Sequence, residues 1–248
     1  FSHSNPSNDV TLSASDAFSG VVTTKYRIDS GPWKTYAGPF TLPSPAPYTH
    51  VVDYYSTDNA GNQDMNTLRV HYLTIETNVP EVTPVNHPSS KQGWYTEGVT
   101  ASTPTAPDTY WDGTDMFGFQ TWKKDGTAVS GNPISIIMSA PHRARAGYLA
   151  MEFWWRADFT DWTAHISIRI RSEVTASYQL KVRVTGPDDY DETFDLGTIP
   201  VVGGTDITIP YDFTLPELPE GDYYLYFKSY DPATNIQRTQ SQLYFWVE

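Results

Sequence analysis

The 248 residues contain no cysteine. That excludes disulfides, thiolate zinc sites and a cysteine nucleophile. Cations are scarce: 16 Lys and Arg stand against 29 Asp and Glu, a formal net charge of −13. Phosphate backbones and anionic membrane surfaces are held by Lys and Arg, so neither nucleic acid nor such a surface fits as a partner. No apolar run is long enough to span a bilayer, which argues against membrane insertion. The chain begins at Phe1 with neither an initiator Met nor a signal peptide. It is therefore expected to be a processed product or a fragment of something longer. Catalytic signatures are missing too. The six histidines (3, 50, 71, 87, 142 and 165) are scattered, with no His-Glu-x-x-His pair and no Gly-x-Ser-x-Gly elbow. No glycine-rich loop joins a strand to a helix, and no pattern singles out a pair of carboxylates of the glycosidase kind. No residue is assigned a catalytic or cofactor-binding role, and the expectation is a protein that is not an enzyme.

What is present points to strands. Aromatics reach 15%, with 17 Tyr and 8 Trp, and there are 19 prolines. Tyr, Thr and Val suit pleated surfaces, while Pro and Gly punctuate them. "DVTLSASD" (9–16), "VVTTKYRID" (21–29), "THVVDYYSTD" (49–58) and "NTLRVHYLTIE" (66–76) alternate apolar and polar residues. "SGPWKTYAGPF" (30–40) reads as a short strand between two turns. Five or six strands in about 70 residues, with no credible helix, predict a β-sandwich.

A shift of 173 residues brings a second copy into register. "FTLP" at 40–43 recurs at 213–216, and "STDNAGN" (56–62) becomes "SYDPATN" (229–235). Over residues 40–74, 8 of 35 positions are identical. They fall at turns and at a proline, where backbone geometry selects the residue. Between the copies lie a Pro-rich linker, "VTPVNHP" (82–88), and a unit with plausible strands at 117–123, 133–139 and 142–150. "HISIRIRS" (165–172) and "YQLKVRVTG" (178–186) then alternate cleanly. The expected fold is all-β: three tandem small β modules, with immunoglobulin-like sandwiches over 1–79 and 153–248 and a smaller β-rich module over 80–152.

The pieces "VTLSASDAFSGV", "YRIDSGPWKTYAGPF" and "YYSTDNAGN" resemble the immunoglobulin-like repeats of large bacterial and archaeal surface proteins. "GWYTEGV", "FQTWKKDG" and "NPISIIMSAPHRARAGY" resemble a bacterial repeat related to the B-repeat of internalins. The last segment is similar to a generic immunoglobulin-like or fibronectin-like module. These resemblances imply β-rich building blocks of secreted proteins, used as stalks, spacers or surface-layer pieces, with no catalytic motif.

The acidic loops raise the question of calcium. In an immunoglobulin-like Greek key the loops after the second and sixth strands share a pole, and here they begin at Asp16 and Asp58. Asp16, Asp58 and Asn62 are thus the candidate calcium ligands, calcium wanting six to eight oxygens. The alternative is a turn in which Asp58 caps backbone N–H groups and Asn62 takes the left-handed conformation beside Gly61. The second copy favours the turn, since Pro232 and Thr234 stand where Asn59 and Gly61 stood. "GPDDYDE" (186–192) and "WDGTD" (111–115) read as solvated acidic turns. Trp94, Tyr95, Tyr110, Trp111, Trp122, Trp154, Trp155 and Trp162 crowd the middle of the chain. They would serve as core filler or, less simply, as a polysaccharide-binding surface. "TASTPTAP" (100–107) reads as a flexible loop. The sole Asn-x-Ser/Thr candidate, Asn5-Pro6-Ser7, is disabled by its proline.

The expected function is structural: a segment of an extracellular or cell-surface assembly such as a surface layer, filament or adhesive stalk. The other class is an accessory carbohydrate-binding region of a secreted hydrolase. "FSHSNPSN" (1–8) has little strand character, so the first module is expected to lack its first strand. Its open edge beside 9–16 should then be covered by self-association or by an upstream segment of the same polypeptide.

Overall fold

The computed structural model describes residues 2–79, 82, 91–158 and 162–248, residues 155–158 as backbone only. Every regular element among them is a strand. The chain divides into two compact units that interleave in sequence: 1–76 with 85–105 and 123–145, and 77–84 with 106–122 and 146–248. The stretch expected as a middle module over 80–152 thus contributes to both. The expected linker lies outside the described residues except for Val82, which is buried.

The first unit opens with a seven-strand Greek key. Its strands are β1 (Ser2–His3), β2 (Asp9–Thr11), β3 (Val21–Ile28), β4 (Lys34–Thr35), β5 (Phe40–Thr41), β6 (Thr49–Asp58) and β7 (Gln63–Thr77). β1, β2 and β5 form one sheet, and β4, β3, β6 and β7 pair in that order in the other. Between them lie Val10, Leu12, Leu42, Val52, Tyr54, Leu68 and Val70. The alternation that made these segments strands also selects which residues face inward. β8 (Gly93–Thr96) then adds itself to β7, placing Gly93 opposite Leu73 and Thr96 opposite Val70. Its Trp94 is 1% exposed and completes this core, lying 5.2 Å from Tyr72 and 4.6 Å from His50 between ring centroids.

Two expectations for this unit are corrected. The edge beside 9–16 is not open, because Ser2 pairs with Thr11 and His3 with Val10. The first strand is present but two residues long, and side chains rather than alternation hold it. The His3 ring bonds Thr96 Oγ1 (3.2 Å) and Ser7 O (3.0 Å), and Thr96 N donates to Asn5 Oδ1 (2.9 Å). The "flexible loop" 100–107 begins as β9 (Thr100–Ser102), and Thr103 is fully buried, its hydroxyl accepting from Ile134 N at 3.0 Å. β9 is paired residue for residue with a later strand (Ser135–Ile137).

In the second unit β10 (Thr109–Trp111) pairs with β11 (Asp115–Lys124). β12 (Thr127–Val129) and β13 (Ser135–Ile137) belong to the first unit. β14 (His142–Asp158) leads into β15 (Thr163–Ser172), β16 (Ala176–Thr185), β17 (Asp191–Val201), β18 (Thr205–Thr214), β19 (Gly221–Tyr230) and β20 (Gln237–Val247). The topology of the first sandwich is repeated: β14, β15 and β18 on one side, β17, β16, β19 and β20 on the other. The core takes Ile166, Ile168 and Ile170 from β15, Leu180, Val182 and Val184 from β16, and Leu225 and Phe227 from β19. The repeat at offset 173 is therefore structural. Leu42 and Leu215 are both buried, and so are Val52 and Leu225. The β6–β7 hairpin corresponds to the β19–β20 hairpin.

Candidate oxygen-lined pole of the first sandwich

The loops that begin at Asp16 and Asp58 do meet. Asn59 stitches them, its side-chain Nδ2 donating to Ser19 O (2.5 Å) and its backbone N to Gly20 O (3.1 Å). Beside them opens a cleft of about 520 Å³ lined by Ser13, Ser15, Asp16, Ser56, Asp58, Asn62, Asp64 and Asn66 among others. The topology dictates the meeting, because the second and sixth strands of this Greek key end at the same pole.

The carboxylates at this pole are already engaged. Asp16 Oδ1 accepts from the backbone N of Phe18 (3.0 Å), Ser19 (2.6 Å) and Gly20 (2.8 Å). Those N–H groups, that of Gly20 foremost, hold its carboxyl below the usual carboxylate range. Asp58 Oδ1 accepts from Ala60 N (2.9 Å) and Asn62 N (2.8 Å), and Asp58 Oδ2 accepts from Asn62 Nδ2 (2.8 Å). Its carboxyl is lowered chiefly by that side-chain amide. Asn62 thus acts as a donor to Asp58. The left-handed residue is Gly61 (φ 87°), not Asn62 as expected. Among the described residues no group of three or more His, Asp or Glu side chains is placed to hold a metal ion.

The second copy solves the same turn differently. Asp231 Oδ1 accepts from Ala233 N (2.9 Å) and Thr234 N (3.3 Å), and Oδ2 pairs with Arg238 at 3.3 Å. Here Asn235 itself is left-handed (φ 55°), since Thr234 replaces the glycine. No counterpart of Asp16 stands at this pole. The three residues between β15 and β16 replace that long loop, and Gln120 of β11 closes them. Gln120 Oε1 accepts from Glu173 N (2.8 Å), and its Nε2 donates to Ser172 Oγ and Tyr178 OH, both at 2.8 Å.

The other acidic stretches are turns. Asp112 Oδ1 accepts from Thr114 N and Asp115 N, both at 2.8 Å. In 186–192, Asp188 and Asp189 are left-handed, and Asp191 forks onto Arg183 (2.8 and 2.5 Å). Of the crowded aromatics, Trp94, Tyr95 and Trp122 are core, whereas Trp111 (47%) and Trp154 (50%) are exposed. Missed altogether was a second exposed set, Tyr224, Tyr244 and Trp246, on the outer face of the β19–β20 hairpin. Strand parity could have found it, since these positions alternate with the buried Tyr223, Phe245 and Val247. Also missed were His–Asp pairs such as His50 Nδ1 with Asp29 Oδ2 at 2.5 Å. Their members lie too far apart in sequence to form a motif.

No family model matches this chain, and no curated protein matches it. Among solved structures it is similar to β-glucuronidase 2 of Bacteroides uniformis bound covalently to cyclophellitol-6-carboxylate aziridine. The identity is 11%, over 91% of this chain and 23% of that one, with a TM-score of 0.32. A calcium-binding mutant of that enzyme gives 13% identity over 90% and 23%, with a TM-score of 0.30. A carbohydrate-binding module of the β-sandwich superfamily, described for promiscuous specificity, gives 13% over 98% and 86%, with a TM-score of 0.25. The chain spans about a quarter of the length of the glucuronidase chains, and likenesses this distant carry no site or activity across. No helix among the described residues is long and apolar enough to cross a membrane.

Proposed function

We propose that this chain is a non-catalytic structural segment of an extracellular assembly, such as a surface layer, filament or adhesive stalk, built from repeated immunoglobulin-like modules. One observation carries the reading: two copies of one Greek key recur in the chain, and their acidic loops are spent on closing their own turns. Such modules hold a fixed spacing, and a stalk or lattice needs little more of them. The pole at Asp16, Asp58 and Asn62 is read as a clamp between two loops, with calcium as the rival occupant of the cleft beside it. A broad glycosidase, protease and esterase screen of the pure chain tests the non-catalytic part. Turnover that vanishes on replacing a single pair of side chains would overturn it.

The exposed Tyr224, Tyr244 and Trp246 favour a second reading, an accessory carbohydrate-binding region. These residues are 40%, 56% and 46% exposed, and Tyr244 OH donates to Asp222 Oδ1 at 2.5 Å. Aromatic faces beside planar polar groups suit sugar rings, whose C–H faces stack while their hydroxyls hydrogen-bond. Retardation of the chain in polysaccharide-containing native gels, lost in Tyr244→Ala, would favour this class over the first.

A further inference from the structure

We infer that the outer edge of β20, at Gln242, Tyr244 and Trp246, is a strand-acceptor site for an extended segment of the β8 kind, supplied from beyond these 248 residues. The internal repeat names both the site and its occupant. In the first sandwich the outer edge of β7 is covered by β8, with Val70 to Leu73 facing Thr96 to Gly93. At offset 173 in the sequence those four residues become Leu243 to Trp246; in the sheet β20 is advanced by two residues, Tyr223 facing Phe245 where His50 faces Val70, which keeps the same parity of residues facing outward. Backbone direction carries over as well. Glu97 N donates to Arg69 O (2.9 Å), so Arg69 faces β8, whereas Tyr72 N turns away to Tyr48 O (3.0 Å). Alternation along a strand makes His71 and Leu73 face β8 too. Their counterparts are Gln242, Tyr244 and Trp246.

On that side β11 covers β20 only at Gln240 and Ser241, opposite Met116 and Asp115. Beyond them no described strand pairs with it. Sheet edges left to solvent are normally blunted by proline, charge or a bulge. The other edges of this sandwich obey. β18 carries Asp206, Pro210 and Asp212, and β17 carries Asp191, Glu192 and Pro200, with an irregularity opposite Leu180 and Lys181. The stretch from Gln242 to Val247 has no charge, no proline and no irregularity. It is built as β7 is built, to receive a strand through main-chain hydrogen bonds. The β8 pattern, a glycine opposite the last edge residue and then two aromatics, fits an edge whose own side chains are Tyr244 and Trp246.

The test uses the full chain and a synthetic peptide of residues 91–98, Lys-Gln-Gly-Trp-Tyr-Thr-Glu-Gly. Amide exchange is followed by NMR as the peptide is titrated. The expected result is slowing of the Gln242, Tyr244 and Trp246 amides by about tenfold or more at saturation. The same peptide N-methylated at the Tyr95 nitrogen, which leaves the protein untouched, should give no protection. Three results would overturn the inference. One is unchanged exchange at millimolar peptide. Another is equal protection by the methylated peptide. The third is protection that depends on protein concentration without peptide, which would assign the edge to a second copy of this chain. Because this edge belongs to the second sandwich and the polar cleft to the first, and neither bears on catalysis, its test can fail while the structural reading stands, and the reverse.

Discussion

At Asp16, Asp58 and Asp231 one carboxylate oxygen does the work of a turn. Each accepts backbone N–H groups within its own loop, and each carboxyl is held below its ordinary value. A carboxyl depressed in the folded state adds stability above its unfolded value of about 3.9, and that stability is lost as pH falls through the folded value. His71 is lowered by burial, so it too favours the folded state above about pH 6.5 and loses that contribution as pH drops below. A melting profile from pH 7 to 2 should decline gently below about 6.5 and steeply below about 4. A flat profile down to pH 2 would deny the carboxylates this role. Because those oxygens already receive N–H groups, millimolar calcium should leave the melting temperature unchanged, where preferential binding to the folded state would raise it. A rise abolished by Asp58→Ala would restore the ion site. A steric prediction belongs at this scale too. A Cβ on Gly186 would stand 2.2 Å from the ring of Tyr223, which is fully buried. Gly186→Ala should cost about 1–3 kcal/mol in chemical denaturation through overpacking, and a neutral result would mean the turn yields freely. The sequence offered Asp58 as a cap, as the alternative to a calcium ligand; Asp16 stood there only as a candidate ligand. The sequence hid which residue goes left-handed, because Gly61 and Asn62 are both suited to it and only the loop's hydrogen bonds decide.

Elements were legible where alternation is long. β3, β6, β7, β15 and β16 follow directly from period-two patterns, and each supplies one inward row of apolar residues. β1 was illegible because its two residues are polar and are held by His3 and Asn5 rather than by burial. β9 was hidden by the Thr and Pro content around it, although Ala101 sits in a core at 1% exposure. β8 lies within "GWYTEGV", which the resemblance singled out, but its role as a lid on the first sandwich depends on chain reversal, which no local pattern encodes. That role gives the prediction for this scale. Removing the Trp94 ring should destabilise the first sandwich by about 3–5 kcal/mol. Denaturation monitored by the Tyr signal of variant and parent checks it. A cost below about 1 kcal/mol would mean β8 merely rests on β7.

For the whole molecule, the repeat at offset 173 joins sequence to architecture most firmly. Eight identities in 35 residues mark a β5–β6–β7 segment whose counterpart at the other end has the same strand order and shares buried positions at Leu42 and Leu215, Val52 and Leu225, and Tyr54 and Phe227. The partition of 106–122 and 146–152 into the second unit was not legible, because it rests on pairings such as Met116 with Gln240 across more than a hundred residues. A chain made of two like sandwiches, with loops closed on themselves, is proposed to work by holding distance and by joining to its like. Electron microscopy of the purified chain over a rising concentration series tests that most directly. Ordered filaments or lattices are the expected result, and dispersed single particles at every concentration would contradict it.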